Sequence, residues 1–209
     1  VGVKQALKPV LPDPIIVEKE GQYRLDSPGP NSIGRVRTFF GNVGALVRAY
    51  AYIRALGSEG LKRVSEGAIL NANYLKSLVK DIFPIHVEEP CMHEFIATAR
   101  ELKDATGVRA LDVAKRLLDY GFYAPTVYFP GVVEEAFMVE PTETESKETL
   151  DAFADALIRI DQEARTQPEL LKGAPQRLRV SRLDEVKAAR ELDLRWTDPS
   201  TPPPASLCE

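Results

Sequence analysis

Carboxylates and hydroxyls are concentrated in one short stretch of the chain, residues 140–145, with the sequence EPTETE. Thr142 and Glu145 have the T-x-x-E spacing of a capping box, in which the threonine oxygen accepts from an early helical N–H and the glutamate bonds back. Glu143 and Glu145 would then lie in the first helical turn, where the helix dipole favours negative charge. The same oxygens are also suited to line a binding site, and the spacing leaves both interpretations open.

Cys91 and His93 form a second candidate site. Residues two apart in an extended segment point to the same side, so a thiolate–imidazole pair is conceivable. No other residue marks a catalytic thiol, and a lone histidine beside apolar residues, such as His86 or His93, is more often structural. The alternative role for His93 is a hydrogen bond to a backbone carbonyl beneath a predicted helix at 108–121.

The sequence contains no complete motif for metal binding, phosphate binding or nucleophilic catalysis. It lacks H-E-x-x-H, a cluster of cysteine and histidine, and the EF-hand loop, so no metal site is expected. It also lacks G-x-G-x-x-G, the Walker pattern and G-x-S-x-G. The residues by themselves therefore indicate a well-patterned domain without a complete catalytic constellation.

Charge and composition exclude several classes of function. With 27 basic and 31 acidic side chains the net charge is -4, so no basic field for nucleic acid is expected. No apolar run approaches the ~18 residues of a membrane span, and the first residues lack the order of a signal peptide. The two cysteines, Cys91 and Cys208, favour a reducing compartment, and we expect a cytoplasmic protein. Because the first residue is Val1 rather than Met, we expect the chain to begin inside a longer polypeptide or after processing.

The elements that must position these residues fall into two main regions, separated near residues 84–90. The predicted elements of the first region, residues 1–85, are a strand at 1–11, a long helix from an N-cap at Ser32 to Gly57, and a helix at 58–81. Each glycine inside a helix costs about 1 kcal/mol, so glycines within the long helix indicate a close contact or a local break. These glycines are Gly34, Gly41 and Gly44.

The second region, residues 90–165, has the pattern of a small α+β domain, a sheet with helices packed on one face. Its predicted elements are a strand at 92–99, a helix at 108–121, an extended piece at 125–130, a strand at 135–140 and a helix at 143–165. Apolar residues recur at helical spacing on both helices, and we expect them to face the core. They are Val113, Leu117 and Leu118 on the first, and Leu150, Phe153, Leu157 and Ile160 on the second. Residues 166–196 form a carboxy-terminal extension, and the proline-rich residues 197–209 are expected to be disordered.

Four segments of the sequence resemble a known family. They are "HEFI", "LDVAKRLLDYGFYAPTVYFP", "FMVEPTETESKETLDAFADAL" and "RLDEVKAARELDLRW". They are similar to the carboxy-terminal region of the glycine cleavage system P-protein, the pyridoxal-phosphate-dependent glycine dehydrogenase (decarboxylating), and most similar to its subunit 2 form. The resemblance implies an α/β fold, the carboxy-terminal part of an aspartate aminotransferase-like (fold type I) pyridoxal phosphate (PLP) enzyme, in which long helices precede the small α+β domain.

The resemblance also implies a function and a set of partners. The family decarboxylates glycine with PLP and transfers the aminomethyl group to the lipoyl arm of the H-protein. The expected partners are glycine, lipoylated H-protein, and P-protein subunit 1 or the amino-terminal half, in the cytoplasm of a prokaryote. The Schiff-base lysine would precede Val1, and Lys4 does not take its place, so this chain alone is expected to be inactive. The alternative is a non-catalytic subunit-interaction domain of the same complex.

In PLP enzymes of this fold the small domain closes over the cofactor, so polar loops at its strand ends face the substrate. We therefore expect a set of cleft-lining residues and one catalytic histidine. The cleft-lining residues are Thr126, Glu140, Thr142 and Glu143, and the catalytic candidate is His93. The sequence departs from the family pattern at Tyr123 and Gln176, two positions at which relatives usually have histidine. Neither replacement titrates near neutrality, so a proton-transfer role at those positions is in doubt.

Overall fold

The structure is a computed structural model of the chain, and it describes residues 2–38, 41–194, 196 and 198. Contacts between residues divide the chain into two compact units, Val1–Leu61 and Lys62–Glu209. The domain boundary near 84–90 stays a prediction, and the tail at 197–209 lies outside the described residues apart from Asp198. None of the described helices is long and apolar enough to cross a membrane.

The first unit contains a short 3-10 helix, a β-hairpin and the first part of a long helix. They are the 3-10 helix Gln5–Val10, strands β1 (Ile15–Lys19) and β2 (Gln22–Asp26), and helix α1 (Val43–Val79). The strands pair antiparallel, with Ile15 opposite Asp26. The strand predicted at 1–11 is wrong, because this stretch forms the 3-10 helix. It includes Pro9, whose nitrogen has no hydrogen to donate to a sheet.

Helix α1 begins at Val43, so the helix start predicted at Ser32 is also wrong. Gly34 and Gly41 have φ of 79° and 116°, a conformation that glycine adopts readily and that no α-helix continues. The Ser32 hydroxyl accepts from the Gly34 N–H at 3.1 Å and helps to form this irregular stretch. At Gly57, the residue predicted to end the first helix, φ of 64° and ψ of -174° interrupt α1.

The second unit packs helices against a three-stranded antiparallel sheet. Its strands are β3 (Phe95–Thr98), β4 (Thr126–Val127) and β5 (Ala136–Val139), in the order β3-β5-β4. The helices after α1 are α2 (Arg100–Thr106), α3 (Ala110–Asp119), α4 (Lys147–Thr166), α5 (Pro168–Lys172) and α6 (Glu185–Arg190). The strands and helices predicted between residues 92 and 165 are therefore present, although their bounds differ from the predicted ones.

The core lies between one face of this sheet and the helices. Phe95 pairs with Val139 and Ala97 pairs with Phe137, so these four buried side chains share one face of the sheet. Phe137 also packs edge-to-face on Phe83, with 5.1 Å between the ring centroids. Periodicity predicted seven apolar helix residues in the core. Five of them are buried there: Val113, Leu117, Leu150, Leu157 and Ile160. The remaining two, Leu118 and Phe153, are half-buried.

Helix α4 begins after Ser146, so the capping box predicted for Thr142 and Glu145 is wrong. The Ser146 hydroxyl accepts from the Thr149 N–H at 3.2 Å, as an N-cap does. Glu148 is the acidic residue in the first helical turn. The turn at 140–145 therefore precedes the helix, and Ser146 rather than Thr142 is the N-cap.

The chain after α5 is attached to α3 through two buried aspartates. Asp119, whose side chain is only 1% exposed, accepts from the backbone N–H groups of Gln176 at 2.8 Å and Arg177 at 2.7 Å. Asp112 accepts from the Arg182 guanidinium at 2.7 Å. Burial raises the pKa of Asp119, but these backbone hydrogen bonds and a neighbouring arginine outweigh burial and hold the pKa below its ordinary value.

The change Asp119→Asn tests this attachment. It removes the negative charge and turns an amide group toward backbone donors, so we expect the free energy of unfolding at pH 7 to fall by about 1–3 kcal/mol in urea denaturation. Because the folded-state pKa is lowered, the contribution is present above the unfolded pKa of about 3.9 and is lost as pH falls through the folded-state value. The difference between wild type and variant should therefore shrink at pH 3. Glu169→Gln, in an exposed pair with Lys172, is the control and should cost at most ~0.5 kcal/mol.

The observed start of α4 leads to a second prediction. Ser146→Ala removes the N-cap acceptor and should lower the free energy of unfolding by about 1 kcal/mol. Glu145→Ala, which removes the side-chain acceptor of a capping box, should leave it nearly unchanged, because Glu145 does not cap the helix. An equal loss in both variants, measured by thermal or urea denaturation, would show that the capping box exists after all.

Candidate functional site

Two cavities of the Lys62–Glu209 unit meet at the strand end where β5 enters the turn 140–145, and both are lined by Glu140 and Pro141. The first, of about 380 Å³, is named here the histidine cavity. It is lined on one side by α1, at Ala68 and its neighbours, and on the other by Met92, His93, Glu140, Thr142 and Glu143. The second, of about 370 Å³, is the aromatic cavity. Its lining includes Phe122, Tyr123, Thr126, Met138, Glu140 and Phe153.

The structure brings four of the five predicted site residues together. His93 comes from the loop before β3, whereas Glu140, Thr142 and Glu143 come from the turn after β5, yet all four line the histidine cavity. Thr126 lies on β4 and lines the aromatic cavity instead. Glu140 is the predicted residue that belongs to both.

His93 lies outside the strand that was predicted to hold it. Strand β3 begins at Phe95, so the strand predicted from residue 92 is too long and the alternation inferred for Cys91 and His93 does not apply. The backbone of Cys91 is held instead by Asn73, whose side chain accepts from the Cys91 N–H at 3.0 Å and donates to its carbonyl at 2.7 Å. The His93 side chain is 63% exposed, with Nε2 at 3.6 Å from Glu94 Oε2. Its imidazole is therefore accessible to a molecule in the cavity.

The turn 140–145 is held against α1 by one side chain and one glycine. Asn71 Nδ2 donates to the carbonyls of Thr142 at 2.8 Å and Glu145 at 3.2 Å. Near Asn71 on the same helix, a Cβ added to Gly67 would lie 3.1 Å from the Cβ of Glu143, closer than ordinary contact. Within the turn, the hydroxyls of Thr142 and Thr144 are 2.7 Å apart and hydrogen bonded. Helix α1 and the turn are therefore in contact, and this contact fixes the backbone positions from which the glutamate side chains of the turn extend.

The loop that carries Cys91 and His93 is held by the same helix. Lys76 is buried, at 7% exposure, and its Nζ donates to three successive carbonyls. The acceptors are Val87 at 2.7 Å, Glu88 at 3.0 Å and Glu89 at 2.6 Å. A buried ammonium without acceptors would be costly, so these bonds oblige the loop to stay against α1. Both polar walls of the histidine cavity are thus positioned by Asn71, Asn73 and Lys76.

Sequence analysis missed these three positioning residues. Asparagine is a poor helix former, because its side chain competes for backbone hydrogen bonds, and two asparagines stand close together at Asn71 and Asn73. The unfavourable helix propensity of these two asparagines was the signal that the sequence offered. It marks polar side chains that bond outside their own helix, although it does not say which loops they reach.

Comparison with known proteins places the chain in a family. The family model described as "Glycine dehydrogenase, C-terminal domain" matches residues 64–176, more than half of the chain. This chain belongs to that family. The resemblance found from the sequence motifs is therefore confirmed.

Several curated relatives carry the name "Probable glycine dehydrogenase (decarboxylating) subunit 2". The protein from Caldanaerobacter subterraneus subsp. tengcongensis is 57% identical over 197 residues, which is 94% of this chain and 40% of the relative. The protein from Chlorobium chlorochromatii is 56% identical over 194 residues, 93% of this chain and 40% of the relative. The chain thus spans about 40% of the length of the curated relatives it matches.

A solved structure shares the fold. The crystal structure of glycine decarboxylase (P-protein) of the glycine cleavage system, in inhibitor-bound form, matches with a TM-score of 0.57 and 20% identity, over 75% of this chain and 37% of that chain. At this identity the likeness concerns the fold alone. It agrees with a mixed α/β domain in which a long helix precedes a small antiparallel sheet.

The residues that line the two cavities do not by themselves fit PLP, the cofactor that the family resemblance implies. Among the described lining residues of either cavity there is no lysine for a Schiff base and no arginine for a phosphate, whereas the glutamates would repel the phosphate. Lys147 follows the turn, but its hydrogen bonds to Asp151 and Tyr74 raise its pKa. It therefore stays protonated at neutral pH, unlike an amine that attacks an aldehyde.

Asn71→Asp tests the positioning of the turn. Aspartate has the size of asparagine but presents oxygens to the carbonyls of Thr142 and Glu145, so two hydrogen bonds become repulsive contacts. We expect a loss of about 1–3 kcal/mol in the free energy of unfolding and faster amide exchange across 142–146. Gln162→Glu, an exposed position on α4, makes the same chemical change and should have little effect. Unchanged exchange in the turn of Asn71→Asp would contradict the role of Asn71.

Proposed function

We propose that this chain is the carboxy-terminal part of a PLP-dependent glycine decarboxylase of the subunit 2 type, with the aspartate aminotransferase-like (fold type I) architecture. The reaction is decarboxylation of glycine with transfer of the aminomethyl group to the lipoyl arm of the H-protein. Family membership and the names of the relatives support the proposal. The observation that carries it is the convergence of His93, Glu140, Thr142 and Glu143 on one cavity from two separate loops.

The chemistry of the histidine cavity suits a small amino acid. Its two carboxylates, Glu140 and Glu143, attract an ammonium group, and the cavity has no lysine or arginine in its described lining to oppose them. The imidazole of His93 can donate to the substrate carboxylate or exchange a proton with it. In this proposal the chain orients glycine and excludes water on one side of the cleft.

The cofactor is bound elsewhere in this proposal. PLP supplies the electron sink that decarboxylation requires. As the family resemblance implies, its lysine and its phosphate site are proposed to lie in sequence outside these 209 residues, so that the chain alone is inactive; the described lining of the two cavities, which does not fit PLP, supports this. Subunit 1, or an amino-terminal half, and the lipoylated H-protein are the proposed partners.

A second candidate function is a non-catalytic subunit-interaction domain of the same complex. It is favoured by apolar side chains that recur at helical spacing on the first part of α1 and are at least half exposed. They are Val43, Leu46, Val47, Tyr50 and Ile53. In that case the cavities would have no part in the reaction, and an experiment on His93 separates the two functions.

The test is His93→Asn in the complete enzyme, assembled from the full-length polypeptide with subunit 1 and lipoylated H-protein. Asparagine keeps a neutral donor but does not exchange protons near neutrality, so we expect the rate of glycine–bicarbonate exchange to fall by ~10²–10⁴. The melting temperature should stay the same, because the side chain is exposed. His86→Asn makes the same change at an exposed histidine outside the cavity lining and is the matched control.

Two results would decide against a catalytic role for this cavity. One is an exchange rate within a few-fold of wild type in His93→Asn. The other is an equal fall in His86→Asn. Either outcome would remove His93 from the reaction and favour the subunit-interaction domain.

A further inference from the structure

We propose that the aromatic cavity is a binding site for an aliphatic primary amine, a ligand with an apolar chain and a terminal ammonium group. The cavity is a second site beside the histidine cavity, with which it shares Glu140 and Pro141. The proposal is independent of the proposed function, because it concerns binding to the chain itself and needs no cofactor.

The volume and walls of the cavity suit a short hydrocarbon chain. At about 370 Å³ it lies in the range of small-molecule pockets, which are mostly apolar with a few convergent polar groups. Phe122 and Phe153 form one wall as an edge-to-face pair, with 5.3 Å between ring centroids. Leu75 and Leu150 are buried residues of the lining, and Met138 adds a flexible side chain that adapts to ligand shape.

The polar groups at the edge of the cavity select the sign of the ligand's charge. Glu140 and Glu145 both contribute to the lining, together with the hydroxyl residues Thr126 and Thr149. No lysine, arginine or histidine is among the described residues that line it. Carboxylates and hydroxyl oxygens accept hydrogen bonds from an ammonium group, whereas a carboxylate ligand would meet repulsion.

The position of these acceptors is constrained by the backbone. Glu140 directly follows β5, whose last residue, Val139, pairs with Phe95. The carbonyl of Glu145 accepts from Asn71 Nδ2 at 3.2 Å, which ties the other end of the turn to α1. The two carboxylates therefore start from fixed points on either side of the turn, which makes the charge preference a property of the fold.

The experiment is an NMR titration of the full 209-residue chain, without cofactor, in which amide shifts of the cavity residues are followed. The probes are n-hexylamine, hexanoate and methylamine. We expect saturable shifts with hexylamine and a dissociation constant for hexanoate roughly a hundredfold higher, because two ion pairs become two repulsions. Methylamine lacks the chain and should bind at least roughly a hundredfold more weakly than hexylamine.

The double variant Glu140→Gln with Glu145→Gln isolates the charge. It should raise the dissociation constant of hexylamine roughly tenfold and leave that of n-hexanol, the neutral probe of the same length, unchanged. Glu148→Gln removes one charge from the adjacent first turn of α4, outside the cavity lining, and is the control that should leave both constants unchanged. His93→Asn should likewise leave the hexylamine titration unchanged, which separates this site from the histidine cavity.

Three outcomes would overturn the proposal. They are the absence of saturable shifts with hexylamine, equal affinity for hexylamine and hexanoate, and an unchanged hexylamine constant in the double variant. None of them bears on glycine–bicarbonate exchange, so failure of this site and failure of the proposed function are distinguishable.

Discussion

The structure of the candidate site depends on the polar face that α1 presents to two irregular loops. Loops have backbone groups without partners in regular structure, and those groups must be satisfied when they are brought against a protein surface. Lys76 meets this need for three carbonyls at once, and the buried ammonium is satisfied in return. Asn73 and Asn71 do the same for the Cys91 loop and for the turn 140–145. Without these bonds neither wall of the histidine cavity would have a defined position.

A glutamate flanks strand β5 at each end, and the two glutamates have different roles. Glu135 precedes it, is 2% exposed, and accepts from the Ala110 N–H at 2.9 Å at the start of α3 and from Lys103 at 3.1 Å. Burial raises the pKa of Glu135, but the hydrogen bonds from Ala110, Lys103 and Arg109 outweigh it and lower the pKa. Glu140 follows the strand and lies exposed between two cavities. One carboxylate therefore stabilises the fold, and the other is available to a ligand.

The family match and the two cavities lie in the same region of the chain. The family assignment rests on residues 64–176, the same region that contains both cavities. The described lining supplies carboxylates, hydroxyls and one imidazole, which suit an amino acid or an amine, and it supplies no cation for a phosphate. The chain also spans only about 40% of the length of its relatives. The sequence motifs identify the family, although they form no complete catalytic set.

The sequence by itself determined the features that depend on neighbours along the chain. Helical periodicity located α3 and α4 and their core residues, such as Leu117 and Leu157, because an amphipathic helix buries one stripe. The sequence alone was also enough to identify the family, because its motifs are recognised without knowing any contact between residues in the fold. The break at Gly57 was likewise a local effect of one glycine.

Only the tertiary structure decided where those elements begin and which loops meet. The N-cap of α4 is Ser146 rather than the predicted Thr142. Asn71, which lies on another helix, donates hydrogen bonds to the carbonyls of Thr142 and Glu145. His93 and Glu140 line the histidine cavity, whereas Thr126 lines the aromatic cavity. The pairing order β3-β5-β4 determines this, because it sets which strand ends lie next to each other. These outcomes depend on hydrogen bonds between residues distant in sequence, and no local pattern specifies the partner of such a bond.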